Sequence, residues 1–234
     1  MPIWPELPRS TARELIDGPI GDLDALADNL RDLRQVDRLL RSTALTWHYL
    51  WPMLRRLPRG ASATLLDVAT GGAAGPRRLS VLARRRGYDL RPIASDRSIA
   101  VLRLIQPIGG ALPLIQHDAL AIPLPDHAVD FVTCSLALHH FDADAAVVLL
   151  RELDRVARRG VIVGDLRRSR AAYWGARLLA LGPWHAMARH DGPLSVLRAY
   201  TRAEVQMLVA RAGLGDARIE ARPPFQIAIV IARP

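Results

Sequence analysis

Three aspartates stand out by type and placement. Asp67 closes a short apolar run, Leu65-Leu66-Asp67-Val68-Ala69, and is followed by the glycine-bearing turn Gly71, Gly72, Gly75. Asp96 closes Arg91-Pro-Ile-Ala-Ser-Asp96, and Asp118 follows Leu112-Pro-Leu-Ile-Gln-His117. A carboxylate can accept both hydroxyls of a ribose, and a second one can accept an adenine amino group. Glycines after the first run permit a tight turn and let a ligand approach backbone N–H groups. A pyrophosphate would be repelled by such a set of acids. The set therefore suits a cofactor with an amino-acid part, a ribose and an adenine but no phosphates. A second group of candidates, His139 and His140, follows the apolar run Val129 to Ser135. Histidine is the usual general base near neutral pH for ionising a phenol.

The elements that must position these residues are readable from periodicity. Residues 22–41 place Leu23, Leu26, Leu30, Leu33, Val36 and Leu40 at helical spacing, and 42–57 continue as a second helix, kinked at Pro52 and stopped at Pro58-Arg59-Gly60. A shorter helix is expected after Ser10, with Glu14 compensating its N-terminal dipole. From Ser62 onward, strands and helices alternate: strands at 64–69, 91–96, 112–117, 129–135 and 160–165, and helices at 76–86, 97–105 and 142–157. That alternation implies an α/β, Rossmann-like, doubly wound parallel sheet. Residues 201–212 form a further helix, and strands 217–221 and 225–232 are joined too closely for anything but antiparallel pairing. Ligands of such sheets bind beyond the carboxyl ends of the strands, where the three acids lie.

Between the fifth strand and the helix at 201, residues 166–200 form an insertion carrying Tyr173, Trp174, Trp184, His185, His190 and Tyr200. With Trp47, His48, Tyr49 and Trp51 of the N-terminal helices, it is expected to cover a flat acceptor. Trp47, Tyr173, Trp184, His190 and Tyr200 are the candidate substrate contacts. The organisation expected is a helical N-terminal cap over 1–60 and a cofactor-binding domain over 61–234, with 166–200 as its lid.

The motifs Leu-Leu-Asp67-Val-Ala-Thr-Gly71-Gly, Asp96, His-Asp118-Ala-Leu, Val-Asp130-Phe-Val-Thr-Cys-Ser and Leu-Ala-Leu-His139-His140-Phe resemble those of class I S-adenosylmethionine-dependent methyltransferases. The similarity is greatest to the small-molecule branch that includes ubiquinone and menaquinone biosynthesis enzymes, and the insertion resembles segments of methyltransferases accompanying aromatic polyketide pathways. The resemblance implies seven strands with an antiparallel last strand. It assigns Asp67 and Gly71 to the methionine part, Asp96 to the ribose and Asp118 to the adenine, with Ala69, Arg97, Ala119 and Ser135 beside them. It also implies methyl transfer to a small aromatic, phenolic or quinone-like acceptor, at oxygen in preference to carbon, with His139 favoured over His140 as the base. The family commonly has glycine where this chain has Ala69 and Ala73; Ala73 would cost about 1 kcal/mol if its backbone were left-handed.

Composition sets the alternatives. All 32 basic residues of the 234-residue chain are arginine, and the net charge is +9. Such a balance raises an RNA methyltransferase as the second reading. Five Trp, four Tyr and three Phe are too few to interleave with the arginine clusters as stacking platforms, so an ion-paired surface is expected instead. A cofactor-binding protein without turnover is the third reading. Neither an H-x-x-x-H pair nor a cluster of carboxylates with such a pair occurs, so no metal is expected. No G-x-S-x-G element is present, which argues against a hydrolase. A single cysteine, Cys134, the absence of an apolar run long enough for a bilayer, and an N-terminus unlike a signal peptide lead to a cytoplasmic expectation, as monomer or homodimer.

Overall fold

The computed structural model describes residues 7–18, 22–106 and 112–233 of the chain. Most of the N-terminal stretch weighed above as a signal peptide lies outside the described residues. Helix α1 (Leu23–Leu40) starts where the Asp22 carboxylate accepts from the N–H groups of Asp24 and Ala25, and it ends at Arg41 with φ +58°. That left-handed residue turns the chain directly into α2 (Ser42–Leu54), which carries Pro52 internally. Then follow β1 (Ser62–Val68), α3 (Ala74–Arg84), β2 (Asp89–Asp96), α4 (Ile99–Ile105), β3 (Leu114–Gln116), β4 (Val129–Ser135), α5 (Ala143–Val156) and β5 (Ala157–Leu166). Helices α6 (Arg170–Leu179) and α7 (Ala186–Arg198) make up the insertion, and α8 (Arg202–Ala212), β6 (Arg218–Arg222) and β7 (Gln226–Ala232) complete the chain.

The seven strands form one sheet in the order β3-β2-β1-β4-β5-β7-β6. β1 to β5 pair in parallel, and β7 runs antiparallel to both β5 and β6. The chain moves outward from β1 to β3 and returns beside β1 as β4, which puts the switch in strand order between β1 and β4. One face of the sheet is covered by α5 and α8, with Leu149, Leu153, Val205 and Leu208 against Val132, Val161 and Ile229. On the other face, Tyr49, Leu50, Met53 and Leu54 of α2 pack on Leu65, Phe131, Ile162 and Ala228. Gly160 makes that approach possible, since a Cβ there would lie 2.5 Å from Met53 Sδ and 2.8 Å from the Ile231 carbonyl. Helix α2 thus belongs to the sheet's own helical layer, and Trp47 stacks on Trp51 within it (centroids 5.6 Å).

Two local expectations are corrected. No helix follows Ser10; residues 7–14 are irregular and only Leu15–Asp17 make a 3-10 turn. The backbone N–H groups of Leu15 and Ile16 donate instead to the two carboxylate oxygens of Asp191 in α7, at 2.8 and 3.1 Å, so tertiary partners replace a helical ladder. Strand β3 is three residues long, because Pro113 cannot donate to a ladder.

The turn after β1 holds Ala69 and Ala73 at φ +54° and +50°, the left-handed region that disfavours a Cβ. Ala73 is fully buried and its methyl packs with Ala94, Leu102 and Ile105, which offsets its strain. Ala69 is only partly buried. Ala69→Gly should therefore stabilise the fold by about 1 kcal/mol, read as a raised thermal midpoint; a lowered midpoint would show that the methyl packs better than its position suggests.

Candidate active site

The carboxyl ends of the parallel strands open onto a polar cavity of about 500 Å³. Ala69, Gly71, Asp96, Arg97, Asp118 and Ala119 all line it, so six of the eight residues considered for the cofactor share one wall. Gly71 has φ +50°, and the place of its missing Cβ is open space, which lets a ligand reach the backbone. Asp96 accepts from the N–H of Gly71 (3.1 Å) through one oxygen and from the N–H of Ser98 (2.9 Å) through the other. One carboxylate thereby fixes both the β1 turn and the start of α4. Asp118 accepts from the Leu120 N–H at 2.9 Å.

Asp67 and Ser135 stand behind this wall. Asp67 is buried and accepts from Thr133 Oγ1 of the adjacent strand (2.6 Å) and from Thr70 Oγ1 in the turn (2.7 Å). It braces the loop. Burial pushes its carboxyl up to about 6, against the two threonine hydrogen bonds and with the charge of Asp96 adding to the rise. Ser135 Oγ lies 3.4 Å from Thr46 Oγ1 of α2.

A second cavity of about 320 Å³ adjoins the first and is almost wholly apolar. Both are lined by Ile16, Leu33, Leu136 and His140, which form the boundary between them. Ala172, Gly175, Ala176 and Leu179 line the apolar cavity from α6 at helical spacing. Tyr173, one residue out of phase with that stripe, turns away and meets Trp174 edge-on (5.6 Å). Of the five residues considered for the substrate, only Trp184 lines this cavity, its indole N–H donating to the Leu179 carbonyl. Trp47 lies in the α2 layer. Tyr200 is buried under Arg9 and donates to the Phe141 carbonyl (2.8 Å), and His190 Nδ1 sits 2.8 Å from Asp191.

The polar end of the apolar cavity is made by His139, His140 and Glu14. The carboxylate of Asp165, near the end of β5, accepts from His139 twice, from the backbone N–H and from the ring at Nδ1, both at 2.7 Å. Burial opposes a charge on His139, but the charge and hydrogen bond of Asp165, with Glu14 assisting, outweigh it and raise its pKa. His140 Nδ1 lies 2.8 Å from Asp17 Oδ1. Asp17, beside His140 and Arg198, is held down at about 2 in spite of burial. Glu14 faces both rings, with Oε1 3.7 Å from His139 Nε2 and Oε2 4.0 Å from His140 Nε2. Glu14 was not singled out for chemistry in the sequence, since nothing marks a residue 125 positions before His139 and outside any helix.

Residues 66–163 match a family described as "Methyltransferase domain". No curated protein matches the sequence. Among solved structures, human N-acetylserotonin methyltransferase in complex with S-adenosylmethionine is 15% identical, with 93% of this chain and 61% of that chain covered and a TM-score of 0.64. Magnesium protoporphyrin IX methyltransferase from Synechocystis, with bound S-adenosylhomocysteine, is 13% identical (86% and 87% covered, TM-score 0.56). A methyltransferase from Aquifex aeolicus is 19% identical (87% and 96%, TM-score 0.57). Residues 66–163 thus resemble a methyltransferase domain, and the 3-2-1-4-5-7-6 sheet is the Rossmann-like fold of the methyltransferase structures that the chain is similar to.

The raised carboxyl of Asp67 has a consequence for stability. Its folded value, about 6, exceeds the ordinary 3.8, so its contribution is complete below pH 4 and declines as pH rises through 6. Asp67→Asn cannot ionise, and its stability relative to wild type should rise by about 2 kcal/mol between pH 4 and pH 7. Denaturant melts at both pH values check this; an unchanged difference would mean that Asp67 titrates normally.

Proposed function

We propose that the protein transfers a methyl group from S-adenosylmethionine to a small aromatic acceptor, at a phenolic oxygen in preference to carbon, in cytoplasmic small-molecule metabolism. The observation that carries this reading is the pair of adjoining cavities, one polar and lined by strand-end acids, the other apolar and closed by a histidine pair. When bound, S-adenosylmethionine supplies an electrophilic methyl on a positively charged sulfur. Asp96 would accept its ribose hydroxyls, Asp118 would accept its adenine amino group, and the open backbone at Gly71 would admit its methionine part. The residues fit a phosphate-free cofactor, because Asp96 and Asp118 would repel a pyrophosphate.

Leu136, Leu33 and Ile16 form the boundary through which the methyl must pass, and they exclude water from it. Alignment and dryness are the main requirements of an in-line displacement. The apolar cavity accepts a flat ring, with Trp184 on its wall. A phenolic hydroxyl would then lie at the polar end, where its O–H bond would break with the proton passing to a histidine Nε2, His139 favoured, and the oxygen keeping the electron pair that attacks the methyl. Two fold neighbours are named for conjugated ring systems, N-acetylserotonin and magnesium protoporphyrin IX, which accords with this acceptor class.

Calorimetry with S-adenosylhomocysteine should show binding by wild type, and a loss of affinity of about ten- to hundredfold in Asp96→Ala, the effect of hydrogen bonds to a charged group. No binding by wild type overturns the reading. Filling the apolar cavity with Ala176→Trp should leave that affinity within a factor of two and abolish methylation of a panel of phenols and naphthols. Undiminished turnover would place the acceptor elsewhere, and methyl incorporation into RNA with steep salt dependence would favour the nucleic-acid reading.

A further inference from the structure

The geometry points to a divalent metal site formed by His139 Nε2, His140 Nε2 and the Glu14 carboxylate, at the boundary of the two cavities, and we propose that it takes a first-row transition-metal dication such as zinc. The three side chains each offer a ligand atom, and these atoms all lie within 4.8 Å of one another. Ligands held at about 2.1 Å around one tetrahedral ion are about 3.4 Å apart, so the set needs to draw in by at most about 1.4 Å.

Three further observations single this cluster out. Glu14 is buried and its Oε1 has no hydrogen-bond partner among the described residues, although a buried carboxylate oxygen without one is costly. Ser195 Oγ donates to the other oxygen, Oε2, at 2.9 Å. Each ring has a carboxylate beside its far nitrogen, Asp165 Oδ1 at 2.7 Å from His139 Nδ1 and Asp17 Oδ1 at 2.8 Å from His140 Nδ1, so that Nε2 of each ring is the nitrogen turned toward Glu14. Carboxylates on the outer nitrogens are what orients and enriches metal-binding imidazoles in general. With both Nε2 atoms unprotonated, two lone pairs and a carboxylate oxygen face one another, an arrangement that a cation relieves. The nearby guanidinium does not fill that place: Arg198 Nε is 3.7 Å from Glu14 Oε1 and its Nη1 is committed to Asp17 at 2.8 Å.

Two imidazoles and one carboxylate leave a coordination position open, and all three ligands line the apolar cavity. Resting on the acceptor reading above, an ion there would hold a phenol as its anion: the O–H bond breaks, the proton goes to water, and the oxygen keeps the electron pair that attacks the methyl. Binding of the ion itself does not depend on that reading. The other occupant able to relieve the repulsion is a proton on Nε2.

Cobalt(II) titration of chelator-treated full-length protein, followed by its visible d–d absorption and by calorimetry, separates the two. One equivalent per chain is expected, with affinity lowered at least a hundredfold in Glu14→Gln and in His140→Ala, about ten- to hundredfold in Asp17→Asn, and unchanged in the surface variant His48→Ala. Thermal melts establish that the variants are folded; if Glu14→Gln is not, His140→Ala carries the comparison. No stoichiometric binding, or binding indifferent to both ligand variants, overturns the site and leaves the proton as occupant. Full methylation of a phenol by the chelated, cobalt-free enzyme overturns the ion's role while leaving the acceptor reading standing, whereas metal binding without phenol methylation does the reverse.

Discussion

The Asp165 carboxylate is the constraint on which the active end of this molecule rests. It accepts the backbone N–H of His139, the ring at Nδ1 and its neighbour Leu166 N–H, all at 2.7 Å, in a buried setting. Because β4 and β5 are adjacent strands, these bonds tie the loop leaving β4 to the end of β5 and leave the His139 ring a single orientation. The backbone carbonyls of that loop are then free to be read by arginines. Arg198 reaches those of His139 and His140, and Arg9 those of His139 and Phe141. Residues 7–18 are drawn over the strand ends in consequence, bringing Glu14, Ile16 and Asp17 into the site. Removing one partner from such a buried ionic set leaves the others uncompensated, which is why the segment is held so closely without being a helix.

The arginine excess has the same explanation in part. Arg9, Arg168 and Arg198 each use several donors at once: Arg168 donates to the carbonyls of Leu7 and Ala199 and to Glu204, a task for a planar fork of N–H groups that an ammonium cannot perform. Arg158 and Arg159, a cluster conspicuous in the sequence, share Asp130 Oδ1 at 2.7 and 2.9 Å. Part of the positive charge that raised nucleic acid as a partner is thus engaged in folding the chain.

The strand ends were legible from sequence because a parallel sheet puts its chemistry at one edge, and a short apolar run with an acid after it marks that edge. Asp96, Asp118 and Gly71 follow from this rule alone. Histidines after β4 were legible by position, but not their partners: Asp165 lies 26 residues on and Glu14 125 residues back, and only the closed sheet and the folded-back N-terminal segment bring them together. The aromatic residues misled for a local reason. Helix α6 offers the apolar cavity its small stripe, Ala172, Gly175 and Ala176, while Tyr173 and Trp47 pack elsewhere; counting rings along the chain does not reveal which face of a helix is turned inward. The helix after Ser10 failed because the N–H groups of Leu15 and Ile16 found a carboxylate on α7.

The proposed methyl transfer requires that the cofactor's sulfur face the wall shared by the two cavities. A crystal structure with S-adenosylhomocysteine bound tests it most directly. The ribose is expected on Asp96, the adenine at Asp118, and the sulfur opposite Leu136 and His140 with the apolar cavity open beyond it. A sulfur directed into solvent, or toward any surface other than that wall, would contradict it.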